Sequence, residues 1–451
     1  MRTKTMELCG WGRRLRSRSR VARPENVSAV RLDGEPSVLA RGLGRSYGDA
    51  AQLAGGLVVL TERLNRFLSF DSSTGLLRAE AGTRMAEVLE TFVPRGWFPS
   101  VTPGTKFVTL GGCAAADVHG KNHHREGGFG SHVLELEVML ADGRRVPCSP
   151  ASNADLFRAT VGGMGLTGFI TEVAFEMKPV ETPYMIVRHT PARDLEECMA
   201  LLEDAALDDE HTVTWLDATA SGRSLGRGVL IRGQHAKALE LPRELRERAT
   251  TTRRARLTVP FDLPSWVMGR AAARLFNGAY FRRQGRRCAP FVSHFDDFFY
   301  PLDAVRDWNR AYGRRGLVQY QCVLPHGEAA GGVRRMLEAL TAAGMPSFLA
   351  VLKRLGAEGP GLLSFPTPGY TLSLDFPAAR ERELLPLLRS FDELVTRLGG
   401  RVYLAKDSTA EAETVRAMYG VRLAEWKEIK ARFDPENRFG SDLSRRLGLT
   451  P

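Results

Sequence analysis

Three glycine-rich clusters within the first 170 residues constrain the fold more strongly than any other feature of the chain. They span residues 40–50, 102–120 and 163–168, each beside a short apolar segment. Glycine lets a backbone approach a phosphate or a flat ring closely, and successive N–H groups there bind anions. The first two clusters therefore predict contacts with a large ligand, helped at the first by Arg41 and Arg45. The alternatives are an ordinary glycine-rich turn for the first cluster and a tightly packed helix-to-strand junction for the second.

The third cluster, Gly163-Met164-Gly165-Leu166-Thr167-Gly168, has the G-x-G-x-x-G spacing of a dinucleotide-binding turn. Such a turn opens a helix and is followed about 20 residues later by an acidic residue. Residues 169–175 instead have the pattern of a strand, and the fitting position holds Arg188. We therefore predict that this segment is not a nicotinamide-binding Rossmann site.

A polar segment, His119-Gly120-Lys121-Asn122-His123-His124, ends the second glycine cluster. Its first two histidines, His119 and His123, are four residues apart, a spacing that on a helix turns both rings toward one metal ion. Gly120 interrupts such a helix, and no third ligand of the H-E-x-x-H type is present. The segment therefore predicts a polar active-site loop and no metal site.

The order of the remaining patterns indicates an α+β fold. Up to residue 180 we predict one helix at 85–93 among short strands at 37–40, 56–60, 76–80, 133–140 and 168–177. From residue 183 we predict helices at 192–204, 332–343 and 381–398. They accompany an antiparallel sheet with strands at 184–189, 212–217, 229–233, 318–324, 348–355 and 370–376.

Two details of this second region bear on function. Gln319, Gln321 and Val323 share one face of their strand, which predicts either a ligand wall or an exposed polar face. The last block, residues 399–451, begins with a strand at 401–405 that places Lys406 at its end. A lysine there is either a salt-bridge partner of Asp407 or a cation that orients a substrate hydroxyl.

Positive charge is concentrated in two segments of a chain whose formal net charge is +11. Residues 1–24, an N-terminal arm, hold eight Lys/Arg and one acid, and residues 240–287 hold twelve Arg and four acids. Such patches suit nucleic acid, anionic lipid, a phosphorylated substrate or solubility alone. Because no finger, RNA-recognition or basic-zipper signature is present, we expect no nucleic-acid partner.

Composition narrows the class further. At 451 residues with 43% hydrophobic and 25% charged residues, the chain suits two globular domains and argues against wholesale disorder. Its six cysteines form no CxxC pair and predict reduced thiols. The basic N-terminus lacks the apolar region of a signal peptide, and no apolar run of about 18 residues predicts a transmembrane helix. We expect a cytoplasmic protein, either soluble or peripheral on the inner face of the membrane.

Taken in order, the glycine clusters, the histidine loop and Ala405-Lys406-Asp407 resemble the vanillyl-alcohol-oxidase type of FAD-dependent oxidoreductase. Within that superfamily the chain is most similar to the branch that oxidises decaprenylphosphoryl-β-D-ribose at C2. The resemblance runs from Gly10-Trp11-Gly12 to residues 441–447 and includes Trp215-Leu216-Asp217 and Gln319-Tyr320-Gln321. It implies an FAD-binding domain made of residues 8–182 and 400–451, with a substrate-binding domain of residues 183–399 inserted and built on an antiparallel sheet.

The resemblance also implies the residues around FAD. Those expected to bind the cofactor are Ala40, Arg41, Gly42, Leu43, Gly44, Arg45, Ser46, Tyr47, Gly48, Asp49, Ala50, Gly104, Thr105, Thr109, Leu110, Gly111, Gly112, Ala116, Asp117, Val118, His119, Ile170 and Tyr403. Superfamily members with covalent FAD often carry a histidine after the glycine of the first cluster. Because this chain has Gly48-Asp49 there, the resemblance predicts noncovalent FAD.

At the substrate end the resemblance implicates Lys406 and His119 in catalysis. We expect Lys406 to bind and polarise the substrate hydroxyl and His119 to pack against the flavin. The expected substrate-binding residues are Lys121, Gln319, Gln321, Thr371, Ser373, Phe299 and Trp215. Two departures from the family pattern leave the identity of the sugar undetermined. Thr371-Leu372-Ser373 replaces the usual Asn-x-Cys, and Phe299-Tyr300 replaces Tyr-His.

The function implied is oxidation of the 2-hydroxyl of a polyprenylphosphoryl ribofuranose to a ketone. A separate NAD(P)H-dependent keto-sugar reductase would complete the epimerisation to the arabinose donor of cell-wall arabinan. The alternatives are a soluble sugar, alditol or sugar-containing natural product as substrate, or a nonenzymatic basic binding protein. Residues 255–288, which mix apolar side chains with arginines, predict either a mobile lid on anionic lipid or an ordinary packed insertion.

Overall fold

Two large antiparallel sheets, two smaller sheets that contain parallel pairs, and peripheral helices make up the fold, which confirms the α+β prediction in its coarse form. The computed structural model describes residues 1–246, 252–253, 255–345 and 347–450. The strands are β1 (Thr3–Cys9), β2 (Arg16–Ala22), β3 (Val38–Arg41), β4 (Leu57–Leu60), β5 (Phe67–Asp71), β6 (Leu76–Glu80), β7 (Trp97–Pro99), β8 (Val133–Met139), β9 (Arg145–Cys148), β10 (Phe169–Pro179), β11 (Tyr184–Ala192), β12 (His211–Leu216), β13 (Gly228–His235), β14 (Leu257–Thr258), β15 (Phe291–His294), β16 (Val305–Arg306), β17 (Leu317–Pro325), β18 (Ala350–Leu355), β19 (Gly369–Pro377) and β20 (Arg401–Val402).

Helices flank the sheets. They are α1 (Met85–Phe92), α2 (Leu110–Ala115), α3 (His123–Glu126), α4 (Ala154–Thr160), α5 (Leu195–Asp208), α6 (Arg243–Arg246), α7 (Arg270–Gly285), α8 (Phe295–Phe299), α9 (His326–Ala342), α10 (Glu381–Arg397), α11 (Ala412–Phe433) and α12 (Asp442–Arg446). Among the described segments, no helix combines the length and apolar character needed to span a bilayer.

A four-stranded sheet in the order β1-β2-β4-β3 carries the basic N-terminus and the first glycine cluster. Strands β1 and β2 form an antiparallel hairpin, so the prediction of an N-terminal arm is wrong. Carboxylates neutralise much of its charge, because five arginines form the ion pairs Arg13–Asp262, Arg14–Glu381, Arg16–Glu7, Arg20–Glu35 and Arg23–Glu62. The pairing with Asp262 and Glu381 ties the hairpin to the second half of the chain.

A six-stranded sheet places the second and third glycine clusters. Its path is β5-β6-β10-β8-β9, with β7 also paired to β10. Helix α1 packs on it through Met85, Val88, Leu89 and Phe92, an i, i+3, i+4, i+7 stripe that is buried throughout. Strand β10 begins at Phe169, so the G-x-G-x-x-G segment precedes a strand and not a helix, as predicted.

An eight-stranded antiparallel sheet holds most of the second half, in the order β15-β11-β13-β12-β18-β19-β17-β20. Helices α5, α9 and α10 cover one face, where Leu352, Leu372 and Leu374 are buried in the largest apolar cluster. Because side chains alternate along a strand, the residues between these leucines point to the opposite face. That opposite face is turned toward the glycine clusters.

The C-terminal block contacts both parts of the chain. Strand β20 pairs with β17 and ends at Val402, so the predicted strand 401–405 is too long. It ends there because the chain turns, with the N–H of Lys406 donating to the Tyr403 carbonyl at 2.9 Å. Further on, the Trp426 Nε1 donates to the Ala159 carbonyl at 2.9 Å in α4.

Candidate functional site

A cavity of about 870 Å³ lies between the glycine clusters and the eight-stranded sheet. Its size is near the upper end of the range of roughly 300–1,000 Å³ usual for ligand pockets. The predicted residues in its wall are Ala40, Arg41, Gly42, Leu43, Gly44, Arg45, Ser46, Tyr47, Ala50, Gly104, Thr105, Thr109, Gly111, Gly112, Ala116, Val118, His119, Lys121, Ile170, Trp215, Phe299, Gln319, Gln321, Ser373, Tyr403 and Lys406. The fold thus brings most of the predicted site residues together around one cavity.

Small residues line one end of the cavity. A Cβ added at Gly104 or Gly165 would meet no atom within 4 Å, so both glycines face open space in the wall. Gly112 is nearly as open, because a Cβ there would touch only the Thr109 hydroxyl at 3.0 Å. This end therefore has backbone, rather than side chains, available to a ligand.

The two arginines of the first cluster have different environments. Arg41 is bound by backbone, donating to the carbonyls of Cys9 at 2.8 Å and of Ala51. These two bonds fix the guanidinium in the wall of the cavity, and its role toward an anion stays a prediction. Arg45 lies with its Cζ 4.0 Å from the ring centre of Trp11, and its buried Nε has no hydrogen-bond partner among the described residues.

Five predicted residues lie outside the wall of the cavity, each for a structural reason. Gly48 packs against the backbone of Asp407, Asp49 forms a two-point ion pair with Arg446, and Leu110 is in the apolar core. Asp117 accepts hydrogen bonds from the Gly130 N–H and the Ser364 hydroxyl. Thr371 contacts the Gln321 amide at 3.1 Å. These residues support the wall from behind.

Lys406 enters the cavity from the turn after β20. Its Nζ lies 3.9 Å from the ring centre of Tyr47, and the Tyr47 N–H donates to the Ala405 carbonyl at 3.0 Å. Next to it, Asp407 pairs with Arg446 at 2.9 Å. Because Asp407 is paired with Arg446, Lys406 is not the salt-bridge partner of Asp407.

The opposite wall is one face of three neighbouring strands. In the register of β17 with β19, Gln319 is opposite Asp375 and Gln321 is opposite Ser373, while β18 places Lys353 opposite Thr371. Both glutamines are buried, so the prediction of a ligand wall is favoured over that of an exposed polar face.

Among the wall residues that sequence analysis missed are two with ionisable side chains on the sheet, Lys353 and Asp375. A signal was present for one of them, because Asp375 stands two residues after Ser373 and so shares its face. Lys353 lies two residues after Val351, on a strand whose partner could not be identified from the sequence.

Asp375 and Lys406 form an ionisable pair in this wall. Gln319 donates its amide to one carboxylate oxygen of Asp375, and the other oxygen has no partner among the described residues. Burial raises the pKa of Asp375 above its ordinary value. Burial also lowers the pKa of Lys406, and the charge of Asp375 partly opposes that shift. The pair can therefore hold or release a proton near neutral pH.

His119 is held at both ring nitrogens. Its Nδ1 lies 3.1 Å from the Lys353 Nζ, and its Nε2 lies 3.0 Å from the Gln321 amide. Burial and the lysine charges hold the pKa of His119 well below its usual value, so the ring is neutral. Both ring nitrogens therefore have neighbours in the wall, which leaves the ring no free position for taking a substrate proton.

Two further lysines bring positive charge to the wall. Burial, followed by repulsion from a neighbouring lysine, lowers the pKa of Lys121 to about 7 and that of Lys353 to about 7. The ammonium of Lys121 donates to the Phe298 carbonyl and lies 4.5 Å from the ring centre of that residue. In their protonated form these two lysines make this end of the cavity suited to an anionic group.

Helix α7, within the predicted lid 255–288, covers the cavity. Phe276 and Tyr280 line it, and the Tyr280 ring lies 4.6 Å from that of Trp215. The outer side exposes Trp266 and Leu275, each 76% accessible. The wider basic segment 240–287 includes residues 247–251 and 254, which lie outside the described residues.

Comparison with known proteins agrees with this geometry. A family model for the FAD binding domain matches residues 27–149, and one for D-arabinono-1,4-lactone oxidase matches residues 371–447. The chain is 38% identical to decaprenylphosphoryl-beta-D-ribose oxidase of Mycolicibacterium smegmatis, over 99% of this chain and 98% of that protein. It is 37% identical to an uncharacterized Streptomyces coelicolor protein, over 81% of this chain and 99% of the relative. A putative D-arabinono-1,4-lactone oxidase of Neurospora crassa is 32% identical, over 35% of this chain and 29% of the relative.

Proposed function

The chain belongs to the vanillyl-alcohol-oxidase type of FAD-dependent oxidoreductase, and we propose that it oxidises a secondary hydroxyl of a ribofuranose carried on a polyprenyl phosphate. One observation carries the proposal: Asp375 and Lys406 share a cavity with Lys121, Lys353 and an open glycine wall. The carboxylate and ammonium suit a hydroxyl that loses a proton, and the other lysines suit a phosphate.

The residues of the cavity fit FAD, the cofactor of this family. Gly104, Gly112 and Gly165 leave backbone open to a flat or phosphorylated group, and the unpartnered Nε of Arg45 is available to an anion. When bound, FAD supplies the acceptor for the hydride that leaves the sugar carbon. We propose that FAD is held noncovalently. Denaturing the protein should release the flavin, and flavin that stays on the chain would contradict this.

We propose that the sugar lies at the end of the cavity lined by Asp375, Lys406, Lys121 and Lys353, called the sugar end below. Each polar residue there has a separate role. Lys406 binds and polarises the substrate hydroxyl, and Asp375, with its free oxygen, takes the proton of that hydroxyl. Lys121 and Lys353 bind the phosphate. His119 is a positioning residue, because Lys353 and Gln321 fix its ring against Tyr403, 5.7 Å away between ring centres.

The two-part FAD-binding domain with an inserted substrate-binding domain is also a proposal. It is supported by the cavity wall, to which residues 40–50 and 403–406 both contribute. The isolated bridge between Val38 and Phe439 joins the same two parts of the chain. We propose the boundaries 8–182, 183–399 and 400–451 for the three segments.

The outer surface of α7 supports a lipid-linked substrate and a peripheral position on the inner face of the membrane. Trp266, just before α7, and Leu275 on it are exposed, and the same helix carries Arg270, Arg274 and Arg282, for which the structure places no carboxylate partner in its described part. Apolar side chains with unpaired cations are the composition that binds anionic lipid.

Vesicle co-sedimentation tests this surface. Wild-type protein should bind vesicles that contain phosphatidylglycerol more strongly than neutral ones, and Trp266→Ser with Arg274→Gln should lose that preference. The matched control is Val421→Ser with Arg416→Gln on α11, where Val421 is 85% exposed. Equal binding by all three proteins would contradict a membrane role for α7.

The product of the proposed reaction is a 2-keto sugar, which a separate NAD(P)H-dependent reductase would convert to the arabinose epimer. Thr371 and Ser373 differ from the family pattern at the sugar end and favour a second candidate, a soluble sugar, alditol or sugar-containing natural product.

Anaerobic bleaching of the flavin by a panel of free and polyprenyl-phosphate sugars separates the two. Bleaching by the lipid-linked ribose alone would support the proposal, and bleaching by free sugars alone would support the second candidate.

A further inference from the structure

A second cluster of polar side chains lies behind the active-site loop, outside the cavity. Glu210 precedes β12, His211 begins that strand, and His235 ends the neighbouring strand β13. One ligand atom from each of the three lies within 4.8 Å of the others. Because His211 is opposite Gly233 in the register, His235, two residues further on, faces the same side of the sheet.

Three ring nitrogens in this cluster have no hydrogen-bond partner among the described residues. His211 is only 2% exposed, yet its Nδ1 is unpartnered, and so are both ring nitrogens of His235. Ring centres of Phe98 and Phe299 lie 4.8 Å from His235 and 4.9 Å from His211, respectively, so aromatic rings and not acceptors pack around the imidazoles. Buried polar atoms of a folded protein nearly always have partners, so these nitrogens are left available for a ligand.

The carboxylate of Glu210 adds a third possible metal ligand to the two imidazoles. The Glu210 Oε2 lies 3.6 Å from the His211 Nδ1, and its other oxygen contacts the ammonium of Lys178 on β10. Burial lowers the pKa of both histidines, which leaves them neutral and able to coordinate. Two neutral imidazoles and one carboxylate are a set of ligands that zinc takes in proteins, with a fourth position left open.

We propose that Glu210, His211 and His235 form a site for a zinc-type divalent metal. The ammonium of Lys178 now contacts the Glu210 carboxylate, where a metal ion would bind, and it must move away when the metal binds. Zinc ligands lie about 2.0–2.2 Å from the ion. Small side-chain rotations must therefore bring the three ligand atoms closer together than they are in this structure. No regular motif spacing signals this site, since β12 and β13 bring position 235 to positions 210 and 211 only in the fold.

The site adjoins the sugar end of the cavity through the backbone. The Thr212 N–H, next to His211, donates to the Lys121 carbonyl at 2.8 Å. Lys121 in turn contacts Phe298, whose ring centre lies 5.9 Å from that of His211. A bound metal would therefore join the start of β12 to the end of β13 and, through the Thr212–Lys121 hydrogen bond, fix the loop that carries Lys121.

Equilibrium dialysis of untagged, FAD-loaded full chain against micromolar Zn²⁺, with metal measured by mass spectrometry, tests the proposal. Wild type should bind one equivalent, and His235→Phe or Glu210→Gln should weaken binding at least about tenfold. Lys178→Met should bind several-fold more tightly, because it removes the competing ammonium. If Glu210 and Lys178 formed only a structural ion pair, removing Lys178 would not tighten zinc binding.

His189→Phe is the matched control, because His189 is also buried with an unpartnered Nδ1 but contacts Phe291 rather than a carboxylate. It should bind zinc as wild type does. Flavin absorbance and the melting temperature in chelator check that each variant is folded. Absence of stoichiometric zinc from both wild type and Lys178→Met would overturn the proposal, as would unchanged binding in folded His235→Phe.

Discussion

The Nζ of Lys353 lies 3.1 Å from the Nδ1 of His119, and this contact fixes the tautomer of the ring. When the ammonium is charged it has donors only, so Nδ1 then accepts and the proton of the neutral ring lies on Nε2. On the other side of the ring the side-chain amide of Gln321 lies 3.0 Å from Nε2 and also contacts the Thr371 hydroxyl at 3.1 Å. Lys353 therefore sets the polarity of a chain of hydrogen bonds along the sugar end of the cavity.

Phosphate binding should depend on the charge of Lys353. Its pKa of about 7 means that the ammonium loses its proton as pH rises above 7, so the KM for a phosphorylated sugar should increase there. Lys353→Met should raise KM about tenfold at pH 6 and flatten its pH dependence. Steady-state kinetics from pH 6 to 9 checks this, with Lys427→Met, an exposed lysine, as control. An unchanged profile in Lys353→Met would refute the assignment.

The same lysine should give stability a measurable pH dependence. Below pH 7 both folded and unfolded chains carry the charge; between about 7 and 10.5 the unfolded chain keeps a proton that the folded chain has lost. Folding stability from this group therefore rises with pH across that window. The melting temperature of Lys353→Met, relative to wild type, should be higher at pH 6 than at pH 9. A pH-independent difference would argue against a buried charge.

Loss of the proposed proton acceptor should slow chemistry without loss of cofactor. Asp375→Asn should retain FAD absorbance and reduce the rate of anaerobic flavin bleaching by about 10²–10⁴. Asp392→Asn is the control, since burial raises its pKa to about 7 as well but its carboxylate contacts Tyr320 away from the cavity. Equal losses in both variants would point to a folding effect instead.

Lys406→Ala should bind FAD and lose turnover by about 10²–10³, because it removes the charge that stabilises the reacting hydroxyl. Flavin absorbance and stopped-flow reduction give the two readouts. Full activity in this variant would exclude a catalytic role for Lys406.

Ser373 should make the enzyme insensitive to inhibitors that capture a cysteine at this position, because a serine hydroxyl is a weak nucleophile at neutral pH. Ser373→Cys should gain stoichiometric labelling, which intact-mass spectrometry measures. Rapid labelling of wild type at Ser373 would contradict the prediction.

The sequence predicted those parts of the site that depend on local composition. Gly104 and Gly112 stood out because absent side chains leave space whatever the surrounding fold. Lys353 and Asp375 were missed because a charged residue in a mostly apolar strand also suits a solvent-facing position. Only the pairing of β18 with β19 and of β19 with β17 shows that both point into the cavity.

Charge patterns were the least informative on structure. Arg16 and Arg20 suggested a free basic arm, yet Glu7 and Glu35 pair with them across sequence distances that a local pattern does not reveal. The ion pair between Asp407 and Arg446 could not be predicted from the sequence for the same reason. Because of that pair, Lys406 does not bind Asp407 and can extend into the cavity.

The cavity joins residues 40–50 to residues 403–406, near opposite ends of the chain. Proteins are synthesised from the N-terminus, so a partly made chain has the glycine clusters but not the lysine turn that completes the wall. We therefore expect that FAD binds tightly only after residues 403–406 have been made. Chains that end before these residues should hold FAD weakly.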